Sequence, residues 1–219
     1  MAEAQNVVDD DAPLDPAAML ALSQREQYRV DTIATGPVVW MIAVWGIAWF
    51  VGFLVLWASK TDVADIPDAL AGTIFAVLII GAMGASWILG ARISRGIKSS
   101  SRFVGIVYGL SWPIAGTAVG LLGVALQYNG MPSSLSFVFY PAAYSLMVGL
   151  LYISGAAIWQ SPAQFILGMW ILIVGIAAPF AGYPTNLLVM ALAGGGGFLL
   201  GAVRLAIAVR MGRNRVPRG

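Results

Sequence analysis

LAGTIFAVLIIGAMGASWILGA, residues 70–91, followed by RISRGIKSSSR, residues 92–102, decides the fold. The first segment carries no charge and is long enough to cross a hydrocarbon layer about 30 Å thick, for which a helix needs roughly 20 apolar residues. A backbone in hydrocarbon must satisfy its own N–H and C=O groups, so such a run reads as a helix. The second segment sets Arg92, Arg95, Lys98 and Arg102 in one short connection before the next apolar run begins at Phe103. Basic residues in short loops stay on the cytoplasmic side, which orients the helix as well as placing it.

Outward from this hairpin the pattern repeats until six spans are found, at about 37–59, 70–91, 103–126, 135–159, 163–181 and 187–208. The chain has 219 residues, 59% hydrophobic and only 10% charged, and a mean hydropathy of +0.84. These values lie outside the range of soluble globular domains. The expected fold class is all-α, an integral membrane bundle of six transmembrane helices filling 37–209. Before it, 1–14 is acidic and lacks the features of a cleavable signal; it reads as a disordered tail. Residues 15–36 begin with Asp15-Pro16, a good N-cap followed by a residue tolerated at the first helical position. They read as a cytoplasmic juxtamembrane amphipathic helix or a partly ordered linker. Residues 210–219 are a basic cytoplasmic tail.

One orientation accounts for the cations. Arg25 and Arg29, the four of the 92–102 loop and the five arginines from Arg204 onward all fall on one side, leaving Lys60 alone on the other. Both termini are therefore expected in the cytoplasm. Trp40, Trp57, Trp159, Tyr128 and Tyr183 fall near the interfaces, as an aromatic belt requires.

Cysteine and histidine are absent, so the usual thiol, zinc and haem ligands are missing. No cofactor, no metal and no enzymatic role are expected. All ten acids lie outside the spans. Ion-coupled transporters commonly use intramembrane carboxylates as relays or ion ligands, so an ion-coupled mechanism is disfavoured. Arg204 is the one charge near the hydrocarbon; it either snorkels to the interface or, buried, marks an anion site. The basic loop suits anionic head groups or a cytoplasmic protein partner, or serves topology alone. No nucleic-acid partner is expected.

The even-numbered spans share a pattern, GASWILGA at 84–91, GLLYISGA at 149–156 and GGGFLLGA at 195–202. Three repeated helical hairpins would produce it, and so would chance in a glycine-rich chain. Small residues let helices approach closely, so Gly84, Gly90, Gly116, Gly120, Gly149, Gly155, Gly197 and Gly201 are expected at helix contacts. Among polar residues, Tyr108, Ser111 and Trp112 lie beside Pro113, while Tyr144 and Ser145 follow Pro141; Tyr152 lies further along the same span. Each proline leaves a carbonyl without its helical donor, so these six are candidates to line a polar pathway. The competing reading is interhelical glue.

VWGIAWFVG at 44–52, SRFVGIVYGLSWP at 101–113, GLLY at 149–152, QFILGMW at 164–170 and NLLVMALAGGGGFL at 186–199 resemble a group of small multi-spanning integral membrane proteins of actinobacteria, generally labelled only as membrane proteins or transporters. The resemblance implies a bacterial cytoplasmic membrane location and lends no substrate and no site residue. Two functions are expected from these features. One is a channel or uncoupled transporter for a small neutral or weakly polar solute, working as a homo-oligomer because six helices rarely enclose a generous pore. The other is a membrane subunit or partner of an ABC-type transporter or regulator, without transport of its own.

Overall fold

The computed structural model describes the backbone of residues 16–61, 63–94 and 101–214, and the side chains of 19, 36–61, 63–91 and 103–211. The helices are α1 (Pro16–Ala58), α2 (Asp68–Ser94), α3 (Ser101–Tyr128), α4 (Ser133–Trp159), α5 (Pro162–Ala177, continued by a 3-10 turn, Ala178–Ala181), α6 (Thr185–Val189) and α7 (Gly196–Asn214). A π-helical segment, Met190–Gly195, joins α6 to α7. Six stretches are long and apolar enough to cross a membrane: Gly36–Ala58, Asp68–Ala91, Phe103–Tyr128, Ser133–Trp159, Pro162–Ala181 and Thr185–Met211. Each agrees with the hydropathy reading to within a few residues, because charges and turn residues delimit the apolar runs on both sides.

Residues 16–35 continue the first span as one helix. At 1.5 Å per residue its 43 residues exceed the thickness of the hydrocarbon. The acidic tail, the side chains of 20–35 and the basic tail from 215 lie outside the described residues.

The turns follow from local chemistry. Gln160 takes a left-handed conformation at the end of α4, with φ 51°. Ser161 then caps α5, its Oγ accepting the Gln164 N–H at 3.3 Å, and Pro162 opens that helix. This is the arrangement expected where one helix must stop and the next start within three residues. Gly130 and Gly182 supply the positive φ angles of the other two tight turns, and Tyr183-Pro184 is a cis peptide.

The spans divide into a core and a periphery. Within an 18-residue apolar stretch of each span, 6% of the residues are buried in the α2 and α3 spans, against 28–44% in the other four. Four spans, those of α1, α4, α5 and α6–α7, form the core; α2 packs on α1 and α3 packs on α4. Aromatic rings run through this arrangement in edge-to-face contact. Phe53 meets Trp49 within α1, Trp49 meets Phe198 of α7, and Phe198 meets Tyr152 of α4, with centroids 5.7, 5.4 and 6.0 Å apart. From Tyr152 the chain continues to Trp112 and Tyr108 of α3 and ends on Trp159. At its other end Phe75 of α2 lies 5.1 Å from Phe53. Such contacts each add about 0.5–1.5 kcal/mol beyond area burial, and here they connect five of the six spans.

The three Gly-aromatic-Gly-Ala segments have unlike surroundings. Tyr152 and Phe198, the aromatics of the second and third, touch each other, whereas Trp87 of the first is 81% exposed. Gly84 and Gly90 have no heavy atom within 4 Å of where a Cβ would stand. Packing within the chain, expected at Gly84 and Gly90, is therefore corrected: among the described residues nothing approaches either glycine, because both lie on a face of α2 turned away from α1.

Candidate functional site

The residues expected to line a polar pathway are distributed along two helix seams. Tyr108 projects from α3 to α4, where its hydroxyl donates to the Leu151 carbonyl at 3.0 Å and accepts from Gln164 Nε2 at 3.4 Å. Trp112, one turn on, lies between the Tyr108 and Tyr152 rings. Ser111 bonds back to the Val107 carbonyl of its own helix at 2.9 Å. Tyr144 Oη donates to the Gly116 carbonyl at 3.1 Å, across the seam formed by Gly116, Gly120 and Gly123. Ser145 is buried and donates to the Pro141 carbonyl at 2.6 Å. Tyr108, Trp112 and Tyr152 thus come together, while Ser111 and Ser145 each bond within their own helix.

The carbonyl freed by Pro141 is taken up by a side chain of another helix. Pro141 has no N–H for the Phe137 carbonyl, and that carbonyl accepts Asn186 Nδ2 from α6 at 2.8 Å. Asn186 is buried, and its Oδ1 has no hydrogen-bond partner. The Phe137 ring stacks on Tyr183 at 5.6 Å, and Lys60, which pairs with Asp68, has its Nζ 5.2 Å from the Phe137 ring centroid. Lys60 is the cation that the charge count set apart from all others. Sequence reasoning passed over Asn186; the available signal was an amide in an otherwise apolar run, forty-five residues after Pro141.

A second staple of the same kind joins the fifth and sixth spans. Trp170 Nε1 donates to the Ala193 carbonyl at 2.9 Å, inside the π-helical segment. Gly197 leaves room for the indole, since a Cβ there would stand 2.2 Å from Nε1. A Cβ on Gly195 would lie 2.3 Å from the Phe50 backbone nitrogen, so α1 and the sixth span approach closely at the four-glycine run. Gly149 abuts the Gly168 carbonyl, Gly155 faces Gln164 and the Tyr108 hydroxyl, and Gly201 makes ordinary contact with Leu167. Gly123, Gly168 and Gly175, outside the expected set, also sit at close contacts.

Arg204 lies exposed on the surface of α7, directed away from the core. Arg95 and Lys98 lie outside the described residues, and the side chains of Arg92 and Arg102 are likewise not described.

Fold and interior together define an all-α membrane protein with six spans, whose described polar groups within the bilayer mostly join helix to helix or bond back to their own helix. No family model matches the chain, and no curated protein and no solved structure matches it.

Proposed function

We propose that this chain is an interaction subunit of a larger assembly in a bacterial cell membrane, with both termini in the cytoplasm, and that a single copy conducts no solute. One observation carries the proposal. The residues best suited to a pathway donate their hydroxyls to main-chain carbonyls, and an edge-to-face run of aromatic rings occupies the middle of the core. A hydroxyl satisfied by a carbonyl offers little to a passing solute, and a close-packed aromatic interior excludes water. The partner chemistry comes from the sequence: a loop with Arg92, Arg95, Lys98 and Arg102 and an arginine-rich tail suit an acidic cytoplasmic surface, such as that of an ABC-type ATPase or a regulator. Affinity purification from native membrane tests this. A stoichiometric partner is expected, lost when those four residues are neutralised; a single-protein preparation refutes it.

A second reading places a channel or uncoupled carrier for a small neutral or weakly polar solute between copies of the chain. The open space at Gly84 and Gly90 favours it, because small residues on a lipid-facing helix permit close approach of another helix. Solute flux into proteoliposomes, no faster than into protein-free vesicles across a panel of solutes and ions, eliminates this reading.

A further inference from the structure

Within the spans, Tyr108 and Tyr144 donate their hydroxyls to the Leu151 and Gly116 carbonyls. Among the described residues the Tyr152 hydroxyl has no partner. Neither has that of Tyr140, but helical side chains lean toward the N-terminal end, and Tyr140 stands about two turns from the Ser133 end of α4. Its hydroxyl is within reach of head-group acceptors. Tyr152 stands about two turns from the opposite end, Trp159, so the same lean carries its hydroxyl away from the nearer interface. The packing agrees. Tyr108 and Gly116 of α3 lie against Leu151 and Tyr144 of α4, which sets Trp112, midway between them, level with the α4 turn that precedes Tyr152. The Trp112 and Tyr152 rings meet at 5.8 Å.

Tyr152 projects between two rings that do not touch each other, Trp112 of α3 and Phe198 of α7, the second with its centroid 6.0 Å away. Behind these rings α3 packs on α4 and makes no extended contact with α7. Phe198 is buried, whereas Tyr152 and Trp112 are half-buried at the margin of the core. A tyrosine hydroxyl enclosed by protein ordinarily finds an acceptor, and leaving that bond unmade in an apolar medium is costly. Lipid supplies none at this depth, since acyl chains carry no oxygen and ester groups lie at the interface. We infer that the gap between Trp112 and Phe198 binds a neutral, apolar molecule bearing a carbonyl oxygen, with Tyr152 Oη as its hydrogen-bond donor. One donor without an acceptor calls for one carbonyl, and aromatic walls suit a flat apolar body. Neither wall carries charge, so an ionised ligand would be left unpaired. This site and the proposed partner surface, on the basic loop and tail, are separate, and either can fail alone.

Benzophenone, a neutral aromatic ketone that inserts into neighbouring C–H bonds under near-ultraviolet light, tests the site in protein reconstituted into nanodiscs. Wild type is expected to be labelled saturably on Trp112, Tyr152, Phe198 or their immediate neighbours, as located by peptide mass spectrometry. Tyr152→Phe keeps the ring and is expected to raise the half-saturating concentration about fivefold, the effect of losing one hydrogen bond. Its unfolding midpoint is expected to match wild type, because no bond within the chain is lost. Tyr108→Phe, which breaks the bond to the Leu151 carbonyl, is expected to lower that midpoint. As a competitor, 9-fluorenone is expected to protect at least about fivefold better than fluorene, which differs only by the carbonyl. Labelling that rises linearly with concentration, by partition into lipid only, overturns the inference. So does an unchanged half-saturation in Tyr152→Phe, or equal protection by fluorene. A lowered unfolding midpoint for Tyr152→Phe overturns it too, since the hydroxyl would then already be bonded within the chain.

Discussion

Glycine has two opposite roles in this protein, and the difference is measurable one residue at a time. At Gly195 an added Cβ meets the Phe50 backbone, which cannot rotate away. Gly195→Ala is expected to destabilise by about 1–3 kcal/mol through overpacking, read from reversible unfolding in mixed micelles. Gly84→Ala meets nothing and is expected to be neutral or to stabilise by up to about 1 kcal/mol through helix propensity. The spacing of Gly116 and Gly120 points to a helix contact, and the structure shows Tyr144 filling it. Which member of a four-glycine run touches α1 was not foreseeable, since the π-helical turn rotates that run relative to an α-helical register. Asn186 belongs to the same scale. Asn186→Asp removes the donor to the Phe137 carbonyl and sets a second acceptor against it. It is expected to be more damaging than Asn186→Leu, by about 1–3 kcal/mol in the same assay.

At the scale of elements, two irregularities in the core helices are used for attachment. Pro141 leaves the Phe137 carbonyl to Asn186, and the π-helical segment presents the Ala193 carbonyl to Trp170. Each bond joins a helix to one distant in sequence, in a medium where no water competes for the carbonyl. Pro141→Ala restores the α4 N–H, so the bond from Asn186 becomes dispensable. In a double-mutant cycle the loss caused by Asn186→Leu is expected to shrink by about 0.5–1.5 kcal/mol in the Pro141→Ala background. Absence of coupling contradicts the assignment. Trp170→Phe is expected to weaken the joint between the fifth and sixth spans by about 1 kcal/mol, with faster proteolysis at the 182–184 turn as its readout.

For the whole molecule, the charge distribution predicts an orientation and the cysteine-free chain makes it easy to test. A cysteine at Asp65 or Asn129 is expected to react with a membrane-impermeant maleimide in intact cells, and one at Ser99 only after permeabilisation. The reverse pattern inverts the topology and with it the proposed site of partner docking. The existence, number and approximate limits of the six helices were determined by the sequence alone, because the cost of placing charge and unpaired backbone in hydrocarbon acts on each segment independently of its neighbours. The division into a four-span core and two peripheral helices was decided only by the tertiary structure. So was the fate of the Phe137 carbonyl. Residues facing lipid and residues facing another helix are equally apolar in a membrane protein, so hydropathy does not distinguish them; shape complementarity between whole helices does.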